Sequence, residues 1–251
     1  MHILLTNDDG IGAQGLHAIA WALAGAGHRV TVSAPDGERS AVSHMINITR
    51  PLCARAVTLD GAEGWAVDGT PVDSARLGLH LCGADKPDMC ISGINRGPNL
   101  GGACIYSGTV NAAMEASMAG CPAIAVSIDS FSPQSYQSAA DAALRFMDWA
   151  GAHPLRRGEI YNLNVPADRD IKGIYFTQIL APEFLSDAHY QEFTSNYGQK
   201  YYFLDDGANE QYFPPDSDLV KCREGWATVS VLGWDIAVKR AELPGSGDLR
   251  L

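Results

Sequence analysis

The sequence predicts a doubly wound α/β fold with a mostly parallel sheet. Short apolar segments alternate with helical segments over the first 170 residues, and this alternation is typical of a parallel sheet covered by helices on both faces. Five strands are predicted, at residues 3–6, 29–34, 88–92, 123–128 and 160–164. Polar residues follow several of them, at the sheet edge where open α/β folds bind ligands.

Helical periodicity and capping signals place four helices between these strands. An apolar stripe that starts at Leu16 marks the first helix. Thr70 and Pro71 begin the second, which ends near residue 81, because threonine is a good N-cap and proline fits the first helical position. The third helix ends near residue 119, before Gly120 and Pro122, and the fourth spans 138–150. Alternating residues at 46–49, 56–59 and 65–67 also predict a small antiparallel excursion from the main sheet.

The character of the chain changes beyond residue 170. Long strands are predicted at 173–180 and 201–204, with a turn at 205–207, and a short helix at 217–224 precedes a strand at 227–232. We therefore divide the chain into an α/β core at 1–170 and a C-terminal extension at 171–251 that completes the core and forms oligomer contacts. An extra layer packed on its own subunit explains this aromatic-rich segment equally well.

Composition limits the classes of protein that this chain can represent. The formal net charge of −11 argues against broad binding to a nucleic acid polymer. The six cysteines form no Cys-x-x-Cys pair and no zinc-like spacing with histidine. The N-terminus lacks a basic region and meets two aspartates by residue 9, and no apolar run reaches the length of a membrane span. We expect a cytoplasmic protein with no membrane association.

Two adjacent acids lie between the first predicted strand and the first predicted helix. Asn7 follows the strand, and Asp8, Asp9 and Gly10 come next. Neighbouring carboxylates repel each other unless a cation joins them or one stays protonated. Carboxylate oxygens are ligands for hard divalent cations. A polar turn is the favoured explanation of a lone Asp-Asp-Gly, so the remaining loops decide the interpretation.

Three further polar groups are predicted at the same edge of the sheet. Ser40 lies in the loop after the second strand, and Asn95 and Asn99 lie in a loop rich in glycine and asparagine after the third. The segment Ser107-Gly108-Thr109 begins the next helix, where unpaired N–H groups and the helix dipole favour an anion. N-capping alone also explains this segment. Together the loops predict an oxygen-lined metal site beside an anion-binding helix start, which is what hydrolysis of a phosphate ester requires.

These motifs resemble those of the SurE survival-protein nucleotidase family, in the same order and spacing over most of residues 1–128. The resemblance rests on ILLTNDDG at 3–10, APD with ERS at 34–40, GTP at 69–71, SGINRGPNLG at 92–101, and YSGTV with AAME at 106–115. It weakens past residue 170. Asn111, Ala116 and Ser117 depart from the family pattern inside a helix, where we expect no effect on the chemistry.

The resemblance implies a Rossmann-like, metal-dependent phosphomonoesterase acting on nucleoside 5′-monophosphates, on 3′-monophosphates and on short polyphosphate. It implies one divalent cation per subunit, Mg²⁺ or Mn²⁺, and a homodimer or homotetramer. The family's metal ligands map onto Asp8, Asp9, Ser40 and Asn95. We assign catalysis to Asp8, Asp9 and Asn95, and phosphate or substrate binding to the following residues: Asn7, Asn99, Ser107, Gly108 and Thr109.

In the mechanism that we expect, a metal-activated water attacks phosphorus in line, without a phosphoenzyme. Ser107 as nucleophile is disfavoured because its local motif offers no histidine or lysine as base. A non-catalytic module that responds to metal or nucleotide is the alternative, since phospho-acceptor signalling domains also carry paired acids after a first strand. Such a domain would need an acceptor aspartate after a later strand, where this chain has Ser92.

Overall fold

The computed structural model describes residues 1–178, 181, 189–205 and 213–235. Eleven strands and five α-helices are found in this part of the chain. The strands are β1 (His2–Thr6), β2 (Arg29–Pro35), β3 (Ala54–Leu59), β4 (Ala62–Val67), β5 (Met89–Arg96), β6 (Ala123–Asp129), β7 (Glu159–Pro166), β8 (Ile174–Phe176), β9 (His189–Thr194), β10 (Lys200–Asp205) and β11 (Ala227–Gly233). The helices are α1 (Gln14–Gly25), α2 (Pro71–Leu81), α3 (Gly108–Met118), α4 (Gln137–Ala152) and α5 (Asp218–Arg223).

Nine strands form one sheet in the order β3-β4-β2-β1-β5-β6-β7-β11-β8. The six strands from β4 to β7 pair in parallel. β3 joins β4 and β11 joins β7 in antiparallel pairs, whereas β8 pairs in parallel with β11. The predicted α/β fold with a mostly parallel sheet is therefore confirmed.

Helices cover both faces of this sheet because its central strands are apolar on both sides. In β1, Ile3 and Leu5 join the cluster that contains Phe146 of α4, while Leu4 joins the cluster that contains Val110 of α3. Successive side chains of a strand point to opposite faces, so the helices split into two layers. α1 and α4 lie on one face, and α2 and α3 on the other. In the described part of the chain, no helix has the length and apolarity that a membrane span requires.

The predicted strand at 46–49 is wrong, because this segment is an irregular loop. Its polar groups bond to the start of α2 instead of to another strand. Asp73 accepts hydrogen bonds from the backbone N–H of Asn47, at 3.0 Å, and from the Asn47 amide. The Thr70 hydroxyl donates to the Met45 carbonyl at 2.7 Å. Side-chain bonds of this kind satisfy the backbone without a sheet ladder.

The C-terminal strands also differ from the prediction. β8 has only three residues where a strand was predicted at 173–180, and residues 179 and 180 lie outside the described part of the chain. β10 pairs with β9, which precedes it, through a turn in which Ser195 donates to the Gln199 carbonyl at 2.8 Å. Most of the turn predicted at 205–207 is outside the described residues. The division of the chain at residue 170 stays a prediction, and β8 and β11 extend the main sheet.

Candidate active site

The turn after β1 lies against the loop after β2. Asn7 shapes it: its amide donates to the Gly10 carbonyl at 2.9 Å and its Oδ1 accepts from the Gly10 N–H at 3.2 Å. Gly10 has φ +96°, and a Cβ there would lie 2.8 Å from the carbonyl carbon of Gly37. The backbone N–H of Arg39 donates to the Asp8 carbonyl at 2.8 Å. Glycine at position 10 therefore permits the two loops to meet at one edge of the sheet.

Asp8 lies between β1 and the start of α3. Its carboxylate is 5 % exposed and accepts a hydrogen bond from the Thr109 hydroxyl. Burial is the main cause that raises the pKa of Asp8 to about 6. The hydrogen bond from Thr109 lowers this pKa, and the charge of Asp9 raises it. A Cβ at Gly108 would lie 2.9 Å from Asp8 Oδ2. Glycine at the first position of α3 thus leaves room for the carboxylate.

Asp9 contacts a different element, the end of β5. Its Oδ2 accepts a hydrogen bond of 3.0 Å from the backbone N–H of Arg96. Burial is the main cause that raises the pKa of Asp9, and the charge of Glu38 adds to it, while the Arg96 hydrogen bond and charge lower it. The two adjacent carboxylates are therefore both placed where negative charge is unfavourable, and each is held by a donor from a separate element.

The other two predicted metal ligands lie near the acids but make bonds within the protein. Ser40 is exposed, and its hydroxyl donates to Glu38 Oε1 at 2.8 Å. Asn95 belongs to β5, which continues to Arg96 and does not end at residue 92 as predicted. The pairing of β5 with β6 shifts register between Ser92 and Asn95. The Asn95 amide nitrogen donates to the Gly97 carbonyl at 2.8 Å, so the bond uses the nitrogen and not the oxygen that a hard cation prefers.

The predicted phosphate-binding residues separate into two groups. Ser107 caps α3, with its Oγ accepting the Val110 N–H at 3.0 Å, and Thr109 donates to Asp8. Asn99 lies instead in a buried amide network at the ends of β6 and β7. Its Nδ2 donates to Ser127 Oγ at 2.8 Å.

Sequence reasoning missed the partners that hold Asn99 in place. Its backbone N–H donates to Asn164 Oδ1 at 2.8 Å, and its carbonyl accepts from Asn162 Nδ2 at 2.9 Å. Both asparagines are about 1 % exposed and belong to β7. The available signal was polar residues at alternate positions of an otherwise apolar strand, since a buried amide needs a partner.

The chemistry of this site fits a divalent cation. Carboxylate, hydroxyl and amide oxygens are the ligands of Mg²⁺ and Mn²⁺. Burial raises the pKa of both Asp8 and Asp9, and a cation beside them would favour their charged forms. Among the described residues, no three histidine, cysteine, aspartate or glutamate side chains are placed to hold a metal. A metal at this edge would therefore combine the two acids with neutral oxygen ligands.

Comparison with known proteins decides the family. The family model described as Survival protein SurE matches residues 3–184. This chain belongs to the SurE family. The resemblance inferred from the motifs is thereby confirmed, and the match extends beyond residue 128 into the C-terminal part of the chain.

Relatives in the SurE family align over nearly their whole length. The 5′-nucleotidase SurE of Gloeobacter violaceus is 40% identical over 252 residues, which cover 98% of this chain and 94% of the relative. The 5′-nucleotidase SurE of Syntrophotalea carbinolica is 41% identical over 94% of this chain and 92% of its own. The crystal structure of the SurE protein from Aquifex aeolicus superposes with a TM-score of 0.80 at 30% identity, covering 94% of this chain and 95% of that one.

Proposed function

We propose that this protein is a metal-dependent nucleotidase that hydrolyses nucleoside 5′-monophosphates to nucleoside and phosphate. The observation that carries the proposal is the position of the two acids. The buried Asp8 carboxylate contacts the start of α3, and the adjacent Asp9 accepts a hydrogen bond from the end of β5. This places paired acids for a cation next to helix N–H groups for an anion. The relatives named 5′-nucleotidase SurE support the choice of substrate.

Asp8, Asp9, Ser40 and Asn95 are the residues that would hold the cation. A divalent cation bound there would polarise a phosphoryl oxygen and lower the pKa of a nearby water. Thr109 fixes the orientation of Asp8 by donating to its Oδ1. The Asn95 amide is oriented by the hydrogen bond that its nitrogen donates to the Gly97 carbonyl at 2.8 Å. The Ser40 hydroxyl donates to Glu38 Oε1 at 2.8 Å, and this bond leaves the lone pairs of its oxygen for the cation.

The phosphate group would be bound by the chain's own donors. The first N–H groups of α3 have no partner within the helix, and the positive end of the helix dipole favours an anion. Ser107, Gly108 and Thr109 form that end. Asn99 is held by Ser127 and the β7 asparagines, so its backbone is fixed before substrate arrives. Asn7 supports the site through the turn that it closes with Gly10.

The finer features of the function are proposals as well. We infer activity on 3′-monophosphates and short polyphosphate, and one Mg²⁺ or Mn²⁺ per subunit. The enzyme would work in the cytoplasm as a homodimer or homotetramer in which residues 171–251 contribute contacts. Exposed aromatic side chains in the hairpin of β9 and β10 support this last point, because such residues are common in interfaces.

Phosphate release from AMP by chelator-treated protein, with Mg²⁺ or Mn²⁺ added back, tests the function. We expect metal-dependent release that Asp8→Asn and Asp9→Asn each abolish in folded protein. Asp141→Asn, which changes an exposed carboxylate on α4, is the control and should retain full activity. Turnover by the Asp8 or Asp9 variants would refute the role of the acids. Nucleotide binding without release by the wild type would favour the non-catalytic module.

A further inference from the structure

The loop that carries Ser40 is held in a strained conformation. Ala41 and Ser43 have φ values of +55° and +53°, which residues with a Cβ adopt only where surrounding contacts impose them. One such contact is at Ser43. Its backbone N–H donates to the Tyr106 carbonyl at 2.9 Å, and its hydroxyl donates to the Ile105 carbonyl at 2.7 Å. These bonds attach the loop to the segment that precedes α3.

His44 makes the second attachment, directly to α3. Its Nε2 lies 3.0 Å from Oε2 of Glu115, and its Nδ1 lies 2.9 Å from Oδ1 of Asn111. The His44 side chain is one third exposed, whereas that of Glu115 is 9% exposed. A carboxylate buried to this degree needs a charged or hydrogen-bonded partner. The imidazole therefore sits between two polar groups on one face of α3.

The surrounding bonds determine the protonation state of this ring. Asn111 Nδ2 donates to the Ser107 carbonyl at 2.8 Å and to the Ile105 carbonyl at 3.3 Å, so the amide oxygen must be the atom that faces His44 Nδ1. That oxygen can only accept a hydrogen bond, and the Glu115 carboxylate can only accept one as well. Both ring nitrogens must then carry hydrogen, and His44 is an imidazolium.

We propose that His44, as an imidazolium, is a positioning residue that fastens the Ser40 loop to α3 and releases it when the ring loses its proton. The inference rests on the proposed function in one respect, that Ser40 contributes to the metal site. The Asn111 side chain accepts a hydrogen bond from His44 through its oxygen and donates one to the Ser107 carbonyl at the start of α3 through its nitrogen. His44 thus links the metal-binding loop to the helix start proposed for phosphate.

Charged groups from two helices act on His44. Glu115 of α3 is the main cause that raises the pKa of His44; burial opposes it, and the Asn111 hydrogen bond adds to it. Arg76 of α2 lies 3.1 Å from the other oxygen of Glu115 and shares its charge. Asp73 of α2 bonds Asn47 further along the loop. Because the folded-state pKa is raised, the stabilising bond is fully present below the ordinary histidine pKa and is lost as pH rises through the raised value.

Nitrogen-15 NMR of the imidazole rings tests the protonation state directly. In the wild type at pH 6.5, the ordinary histidine pKa, we expect both nitrogens of His44 to give mainly the signals of protonated nitrogen. In Glu115→Gln, the ring should become neutral at a lower pH than in the wild type. A His44 ring that is mainly neutral at pH 6.5 in the wild type would overturn the inference.

Manganese titration of His44→Gln tests the positioning role without an activity readout. We expect the variant to bind Mn²⁺ about tenfold more weakly than the wild type at pH 6.5, as for loss of a group that orients a metal ligand. This difference in Mn²⁺ affinity should shrink as pH rises. When both proteins also carry Glu115→Gln, the difference should shrink at a lower pH. The control is His17→Gln. His17 lies on α1, where its Nδ1 is 2.7 Å from Oδ2 of Asp60, and it makes no hydrogen bond to a site residue named above.

The outcomes separate this inference from the proposed function. Equal Mn²⁺ affinity of the wild type and a folded His44→Gln protein at pH 6.5 would refute positioning, as would a difference that does not change with pH. If the wild type releases no phosphate from AMP, the proposed function fails. The ring signals and the exchange rate of the Ser43 amide proton, which should rise in His44→Gln at equal pH, would still decide whether His44 holds the loop.

Discussion

Replacing Asp8 with asparagine should stabilise the metal-free protein while it abolishes activity. Burial raises the pKa of Asp8 from its ordinary 3.8 to about 6. Each pKa unit corresponds to about 1.4 kcal/mol, so the ionised carboxylate costs the folded chain about 3 kcal/mol near neutral pH. Asparagine removes the charge and keeps an oxygen that can accept the Thr109 hydroxyl. The gain in stability should therefore approach about 3 kcal/mol.

The gain in folding stability from Asp8→Asn should increase as pH rises. Below pH 3.8 Asp8 is protonated in both the folded and the unfolded chain, so its titration contributes nothing. As pH rises from about 4 to 6, the unfolded chain releases the proton while the folded chain retains it, and the wild type loses stability. The difference between variant and wild type should grow from about 1 kcal/mol at pH 4.5 to about 3 kcal/mol at pH 7.5.

Urea denaturation in the presence of a chelator measures this difference. Asp141→Asn is the control, because its exposed carboxylate should change the free energy of unfolding by less than about 0.5 kcal/mol. Added Mn²⁺ should then stabilise the wild type and not Asp8→Asn, since a ligand stabilises only the state that binds it. A variant that is less stable than the wild type at pH 7.5, or a difference that does not vary with pH, would refute the reasoning.

Three further changes test the packing around the site and the core. Gly108→Ala places a Cβ 2.8 Å from the Asp8 Cβ, so phosphate release from AMP should fall about a hundredfold as the carboxylate moves; an active variant would contradict this. Asn164→Ala removes partners of the buried Asn99 backbone and should cost about 1–3 kcal/mol in urea denaturation, whereas an unchanged midpoint would show that the network is dispensable. Phe146→Ala empties a fully buried position and should cost about 3–5 kcal/mol by the same measurement; a loss below 1 kcal/mol would mean that the core closes the cavity.

The sequence predicts the central sheet well because burial on both faces leaves a clear local signal. Ile3, Leu4 and Leu5 are all fully buried. The predicted N-cap at Thr70 is confirmed, and Asp73 completes a capping box there. Loops that follow such strands are brought together by the order of the strands. That order, β2-β1-β5, places the Asp8, Ser40 and Asn95 segments side by side.

Features set by contacts distant in sequence could not be predicted. Residues 46–49 alternate like a strand but bond to Asp73, which lies 26 positions beyond Asn47. β5 continues past Ser92 because the neighbouring β6 offers partners up to Ile128. The pairing of Asn99 with Asn164 spans 65 positions. In each case the deciding partner lies on another element, so no local pattern reports it.

Asp8 and Asp9 are adjacent in the chain but contact different elements of the fold. Asp8 is held by Thr109 of α3, and Asp9 by the backbone of Arg96 in β5. Burial disfavours the charge of each acid, and Asp9 also disfavours that of Asp8. Because a divalent cation would offset both charges only in the folded arrangement, metal binding and folding must stabilise each other. In the proposed site, the unfavourable charge of the metal-free acids is thus the property that would favour a cation at this edge of the sheet.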